Sequence, residues 1–141
     1  MSRLLAPALV VALLMVGCSS EGDVFALEVG DCFDQSQPAD GTVTSVEPVA
    51  CDLLHDHEVY AVFRLEDDRW PGDEAVADAA EEGCLERFEG YVGVEYADSE
   101  LEAAAFWPTE ESWQERDDRE VVCYLGHPDQ QLTDPMQGSE R

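Results

Sequence analysis

The cysteine spacing constrains this chain more than any other feature. Cys18 stands apart, at the end of an apolar N-terminal run, and four more follow at Cys32, Cys51, Cys84 and Cys123. The run, Leu4 to Val16, comes after one positive residue, Arg3. That is the layout of a secretory signal, and it is shorter than the roughly 18 to 20 apolar residues that span a bilayer. Four further cysteines in an exported domain read as two disulfides. Three pairings are open. The expected one is Cys32–Cys51, between two early strand candidates, with Cys84–Cys123 joining a helix to a late strand. Loops of about 20 and about 40 residues closed this way contribute about 3 and about 4 kcal/mol in the chain-entropy picture. The rival use of these thiols is a zinc site built from Cys51 with His55 or His57. No C-x-x-C pair supports it, and export favours oxidation.

The run closes in Met15-Val16-Gly17-Cys18-Ser19-Ser20, which resembles a bacterial lipobox, with Met15 where Leu is commonest. Residues 1–17 are then a lipoprotein signal peptide, and Cys18 becomes the acylated N-terminus of a short linker, 18–23. Two acyl chains anchor stably where one does not. The expected location is the extracytoplasmic face of the cell membrane, with membrane lipid as a partner through Cys18.

Charge narrows the partners further. The chain carries 33 acidic and 7 basic residues, for a formal charge of −26. Nothing in it can neutralise a row of phosphates, so nucleic acid is excluded. A hydrophobic fraction of 45% is too high for a disordered acidic tail. The acid runs at 66–68, 81–82, 110–111 and 115–118 lack the spacing of a calcium-binding loop and read as a solvated surface.

Hydrophobic periodicity predicts an α+β domain over 24–127, a small antiparallel sheet packed by one main helix. Val24 to Val29 reads as a first strand and Thr42 to Ala50 as a second. His57 to Leu65 is the clearest strand, with Val59, Ala61, Phe63 and Leu65 facing one way and Glu58, Tyr60, Val62 and Arg64 the other. A helix is predicted from about Glu74 to about Tyr91, with Asp73 as N-cap, an apolar stripe through Val76, Ala80, Cys84, Phe88 and Tyr91, and a glycine stop at Gly90 or Gly93. A strand near Ala104 to Thr109, edge-like because of Pro108, a turn or short helix over Glu110 to Arg116 and a last strand from Arg119 to Leu125 complete the domain. Residues 128–141, with Pro128, Pro135 and Gly138, read as a loose tail.

Three residues are candidates for binding. His55 and His57 share a face if both lie in a strand, and a metal could use them with an acidic third ligand. The simpler reading is that His55-Asp56 orders the turn after Cys51. Trp113 lies in a polar turn, which makes it the aromatic most suited to a recognition groove. No catalytic residue, metal site or cofactor is assigned. The chain has no G-x-S-x-G, H-E-x-x-H or P-loop motif.

Several motifs together resemble the actinobacterial septum-formation domain. They are Gly30-Asp31-Cys32-Phe33, Cys51 with His55-Asp56, and Glu58 to Phe63. Trp70-Pro71-Gly72 follows, then Cys84, Phe88 and Tyr91-Val92-Gly93, and then Pro108-Thr109, Ser112-Trp113, Asp118-Arg119 and Val121 to Cys123. Leu54 stands where the family usually has Pro, and Asp117 where it usually has Gly; both bear on turn geometry. The resemblance implies a link to septum formation or envelope assembly and brings no catalytic residues with it. The expected function is a non-enzymatic, membrane-anchored interaction module with division or cell-wall proteins as partners. The alternative is an extracytoplasmic lipoprotein that binds a small ligand or a divalent metal.

Overall fold

The structure, a computed structural model, describes residues 22–34 and 45–141. The signal peptide, Cys18 and the expected loop from Gln35 to Gly41 lie outside the described residues. Among those described, no helix is long and apolar enough to cross a membrane.

Among the described residues, six antiparallel strands form one sheet in the order β1-β3-β2-β4-β6-β5. They are β1 (Gly22–Asp23), β2 (Cys32–Asp34), β3 (Ser45–Val49), β4 (His57–Arg64), β5 (Glu102–Phe106) and β6 (Glu120–Gly126). Helices α1 (Asp73–Val92) and α2 (Glu110–Arg116) lie between β4 and β6 in sequence. The α+β reading and both expected disulfides are observed: Cys32–Cys51 with Cα atoms 5.3 Å apart, and Cys84–Cys123 at 5.5 Å.

The first predicted strand is instead a 3-10 turn over Val24–Ala26. A spacing of three puts Val24 and Leu27 on the same side of such a turn. Both are buried with Phe33, Val46, Val59 and Val122 in a small core on one side of the sheet. The larger core, on the other side, gathers Ala80, Cys84, Phe88, Tyr91 and Val92 from α1 against Ala61, Val121, Cys123 and Leu125.

A bulge in β4 decides which residues reach which core. Val59 pairs with Tyr124 and Ala61 with Cys123, so Tyr60 is the extra residue. A bulge shifts the alternation by one. Val59 therefore joins the smaller core, whereas Tyr60, Ala61 and Phe63 face α1. The predicted run of Val59, Ala61, Phe63 and Leu65 on one face is corrected on this point.

Helix α1 buries the predicted stripe and ends at Gly93, whose φ of 95° is left-handed. Gly72, not Asp73, is its N-cap. Asp73 and Glu74 occupy the first turn, where negative charge suits the helix dipole. Helix α2 starts with a reciprocal box in which Thr109 and Ser112 each accept from the other's backbone N–H. It ends at Asp117, a non-glycine residue at φ 53°.

The expected loose tail is also corrected. Leu132 and Met136 are buried in the larger core. Leu132 exchanges backbone hydrogen bonds with His55, Gly138 N–H donates to the Tyr91 carbonyl, and Glu140 N–H donates to the Val92 carbonyl. Residues 127–141 form a strap across the helix side of the sheet. Its grip comes mostly from backbone groups, which carry no hydrophobic signature.

Gly83 lies where α1 crosses β4. A Cβ there would sit 2.4 Å from the Phe63 ring, which is also covered by the Arg87 guanidinium 4.3 Å from its centroid. Alanine favours an exposed helix interior by about 1 kcal/mol over glycine. A ring held between helix and cation cannot yield cheaply, and overpacking costs about 1–3 kcal/mol. Gly83→Ala is therefore expected to lower stability, read as a reduced urea midpoint at unchanged m-value.

Candidate functional site

Three groups of residues are candidates for function: a buried polar centre, an aromatic nest around His57, and a surface groove at the sheet edge. The polar centre is built on β4. Glu58 has no exposed surface. Its Oε1 accepts from the Tyr91 hydroxyl at 2.5 Å and its Oε2 from the Met136 backbone N–H at 2.8 Å. One carboxylate thus joins the sheet, α1 and the strap. Burial, then the hydrogen bond to Glu58 and its negative charge, push the Tyr91 phenol far up. Burial likewise pushes up Tyr60, whose hydroxyl donates to the Cys84 carbonyl at 3.0 Å.

His55 is also fully buried, held by its bridge to Leu132. Its Nδ1 lies 2.7 Å from the Leu53 carbonyl, which can only accept, so Nδ1 carries the proton. Nε2 is buried without a partner among the described residues. Cys32, His55 and Glu58 bring potential ligand atoms within 4.8 Å of one another. Cys32 is oxidised to Cys51, and both Glu58 oxygens are in use. The trio therefore lacks the thiolate and the free carboxylate that a zinc centre uses.

His57 goes elsewhere. It pairs with Phe33 across the sheet and packs edge-on against Tyr124, 5.0 Å between centroids, with Phe106 beyond. His55 precedes the strand, and His57 is not part of the group that His55 forms with Cys32 and Glu58. Burial lowers the His57 pKa from its ordinary 6.5, against raising effects from Asp56, the Leu125 backbone and Asp34.

Trp113 is not in a groove. It is 3% exposed, with the Arg119 guanidinium 3.7 Å from its ring centroid and Trp70 packed edge-on. Arg119 is itself buried. It donates to the carbonyls of Asp67, Trp113 and Asp118 and pairs with Asp117 at 3.2 Å. Trp113 looked surface-like because its sequence neighbours are polar, but the covering residue comes six positions later.

The open surface lies at the other end of the sheet. Strand β5 is bonded to β6 on one side and, among the described residues, has no strand on the other. Between β5 and α1 is a groove of about 330 Å³ lined by Leu85, Tyr96, Ala103, Ala105, Trp107 and Glu81, among others. Leu85, Tyr96 and Trp107 are 37%, 38% and 48% exposed, unusual for side chains of this size. A neighbouring depression on α1 shares Glu81 and Leu85 with the groove and is otherwise lined by Asp78, Glu82 and Glu86, so acidic groups flank the groove on its α1 side. Periodicity alone does not bring these residues together: Trp107 falls within a predicted strand and Leu85 lies beside the predicted stripe of α1.

These features define a disulfide-braced acidic α+β domain with a structural polar centre and an apolar groove at an edge strand. The chain belongs to the septum-formation family, whose model matches residues 21–123. Comparison with curated proteins and with solved structures gave no significant match.

Two outcomes are expected of the buried groups. Glu58→Gln turns an acceptor into an amide that cannot accept from both Tyr91 and Met136. Hydrogen bonds to charged groups contribute about 1.5–3 kcal/mol. The strap should loosen first, read as faster amide exchange at Met136 and Gly138 and as cleavage of residues 127–141 by protease. For His57 the unfolded chain takes up a proton near pH 6.5 and the folded chain only at lower pH. Its contribution is thus complete above 6.5 and lost as pH falls through the folded value. The urea midpoint should drop from about pH 7.5 to about pH 5, and His57→Phe should flatten that slope.

Proposed function

We infer that this chain is a non-enzymatic, lipid-anchored module on the extracytoplasmic face of the cell membrane. Cys18 is its acylated residue, and its role is in septum formation or envelope assembly. The observation that carries the docking reading is the β5 edge beside the α1 groove. An unpaired edge offers a row of backbone donors and acceptors to an added strand, and a flanking pocket takes one of its side chains. Alanines at Ala103, Ala104 and Ala105 leave that edge unobstructed. The acidic flank of α1 selects the charge of the occupant. The occupant is an extended, cationic segment of a partner protein with one apolar anchor seated near Leu85, Tyr96 and Trp107. Family membership directs the search to division and wall-building proteins.

Support for the anchor is the run from Leu4 to Cys18, and mass spectrometry of the N-terminus from the native host tests it. A diacylglyceryl Cys18 is expected, and a free thiol there overturns the anchor. A photoreactive residue at Ala104 tests docking. The expected adduct is a Lys- or Arg-rich segment of a septum or wall protein, lost at raised salt, in Trp107→Ala and in the Glu81→Lys/Glu82→Lys double variant. Adducts indifferent to all three changes overturn the groove as the docking site.

A further inference from the structure

We propose that Cys32–Cys51 is a thiol-exchange site: Cys51 is the sulfur attacked by an external thiol, and His55 receives the departing Cys32. The inference is independent of the docking groove. Three observations converge on it. The two sulfurs differ in access, since Cys32 is 3% exposed whereas Cys51 is only half-buried. A surface pocket of about 270 Å³ opens on the bond, lined by Gly30, Asp31, Pro48, Ala50 and both cysteines. Behind the bond, a ring nitrogen of His55 lies within 4.8 Å of Cys32 Sγ. Nδ1 is committed to Leu53, so Nε2 is the nitrogen left to accept, and among the described residues it is buried with no partner while the disulfide is closed.

That orphaned lone pair sets the direction of the chemistry. A buried acceptor without a donor is a cost borne by the oxidised state. Reduction supplies the donor. An incoming thiol R–SH ionises and its thiolate attacks Cys51 Sγ. The R–S–Sγ bond forms, the Sγ–Sγ bond to Cys32 breaks, and its electron pair passes to Cys32 Sγ. That sulfur takes up a proton from solvent, balancing the one R–SH released, and donates its S–H to His55 Nε2. The products are a mixed disulfide on Cys51 and a hydrogen-bonded thiol at Cys32. A second thiol resolves the mixed disulfide, leaving R–S–S–R and two protein thiols. Groups that stabilise the reduced form make a disulfide more oxidising.

The fold tolerates this opening. Cys32 stays in β2 between its register partners, Val49 on β3 and Glu58 on β4. The other bridge differs. Cys84 and Cys123 are both buried within the larger core, and among the described residues no histidine is grouped with either. One molecule therefore holds a labile bridge and a structural one, the second serving as internal reference.

The experiment is redox titration of the folded chain in glutathione buffers, with differential alkylation and mass spectrometry at each cysteine. Cys32 and Cys51 should become alkylated while Cys84–Cys123 is intact, the two midpoints lying at least about tenfold apart in equilibrium constant. His55→Leu should shift the Cys32–Cys51 equilibrium about fivefold toward the disulfide, the worth of one ordinary hydrogen bond. Oxidised glutathione should add to Cys51 in Cys32→Ser and leave Cys32 unmodified in Cys51→Ser. Parallel arms with free cysteine and with a reduced dithiol protein distinguish a small-molecule from a protein source, and selective opening by either supports the site. Should His55→Leu fail to fold, nitrogen NMR of the wild-type imidazole reads the same event, as a shift of Nε2 on reduction. Joint opening of both bridges only on unfolding, or an Nε2 resonance indifferent to reduction, overturns the proposal.

Discussion

A carboxylate with no contact to water holds three parts of this fold together. Burying an ionisable group is costly unless its hydrogen-bonding capacity is met. Glu58 meets it with one donor from α1 and one from the strap. Neither donor reaches it unless the helix crosses β4 at its observed position and residues 127–141 turn back over the sheet. The arrangement is therefore mutually conditional. The helix and strap relieve the carboxylate, and the carboxylate specifies where they lie.

The bulge at Tyr60 follows from the same constraint. Strand β4 must send Glu58 toward α1 and Val59 toward the smaller core, and then send both Tyr60 and Ala61 to the helix side. A regular strand cannot place two successive residues on one face. The extra residue makes room for the Tyr60 ring, edge-on to Phe88, with its hydroxyl on the Cys84 carbonyl. The helix side of the sheet is thus joined to α1 by a disulfide, a tyrosine hydrogen bond and the Glu58–Tyr91 pair, all within one crossing.

What was legible in the sequence was periodic or countable. The α1 stripe through Val76, Cys84 and Phe88 has the spacing of a helix face, and the parity of the cysteines, with their places on strand and helix, led to the observed pairing. A bulge adds no composition signal, so the alternation of β4 was read one step too far. The strap has only Leu132 and Met136 as apolar anchors among polar residues, and its backbone bonds leave no trace in residue type. Of the candidate site residues, His55 is grouped with Cys32 and Glu58, a trio that sequence spacing did not indicate. Glu58, which periodicity put only on the face opposite Val59 and Ala61, is fully buried. Asp117 is the instructive departure. It takes the left-handed conformation that suits glycine, the residue usual there in the family, and its carboxylate lies 3.2 Å from Arg119.

The strap also bears on how such a domain should be delimited. The match to the family model stops at residue 123, inside β6, which continues to Gly126. A truncation drawn there would cut the strand short and strip away Leu132 and Met136, leaving Glu58 facing solvent with half its donors gone. Recurrence and completeness are separate properties of a polypeptide, and here the matched stretch stops short of the strap that satisfies Glu58.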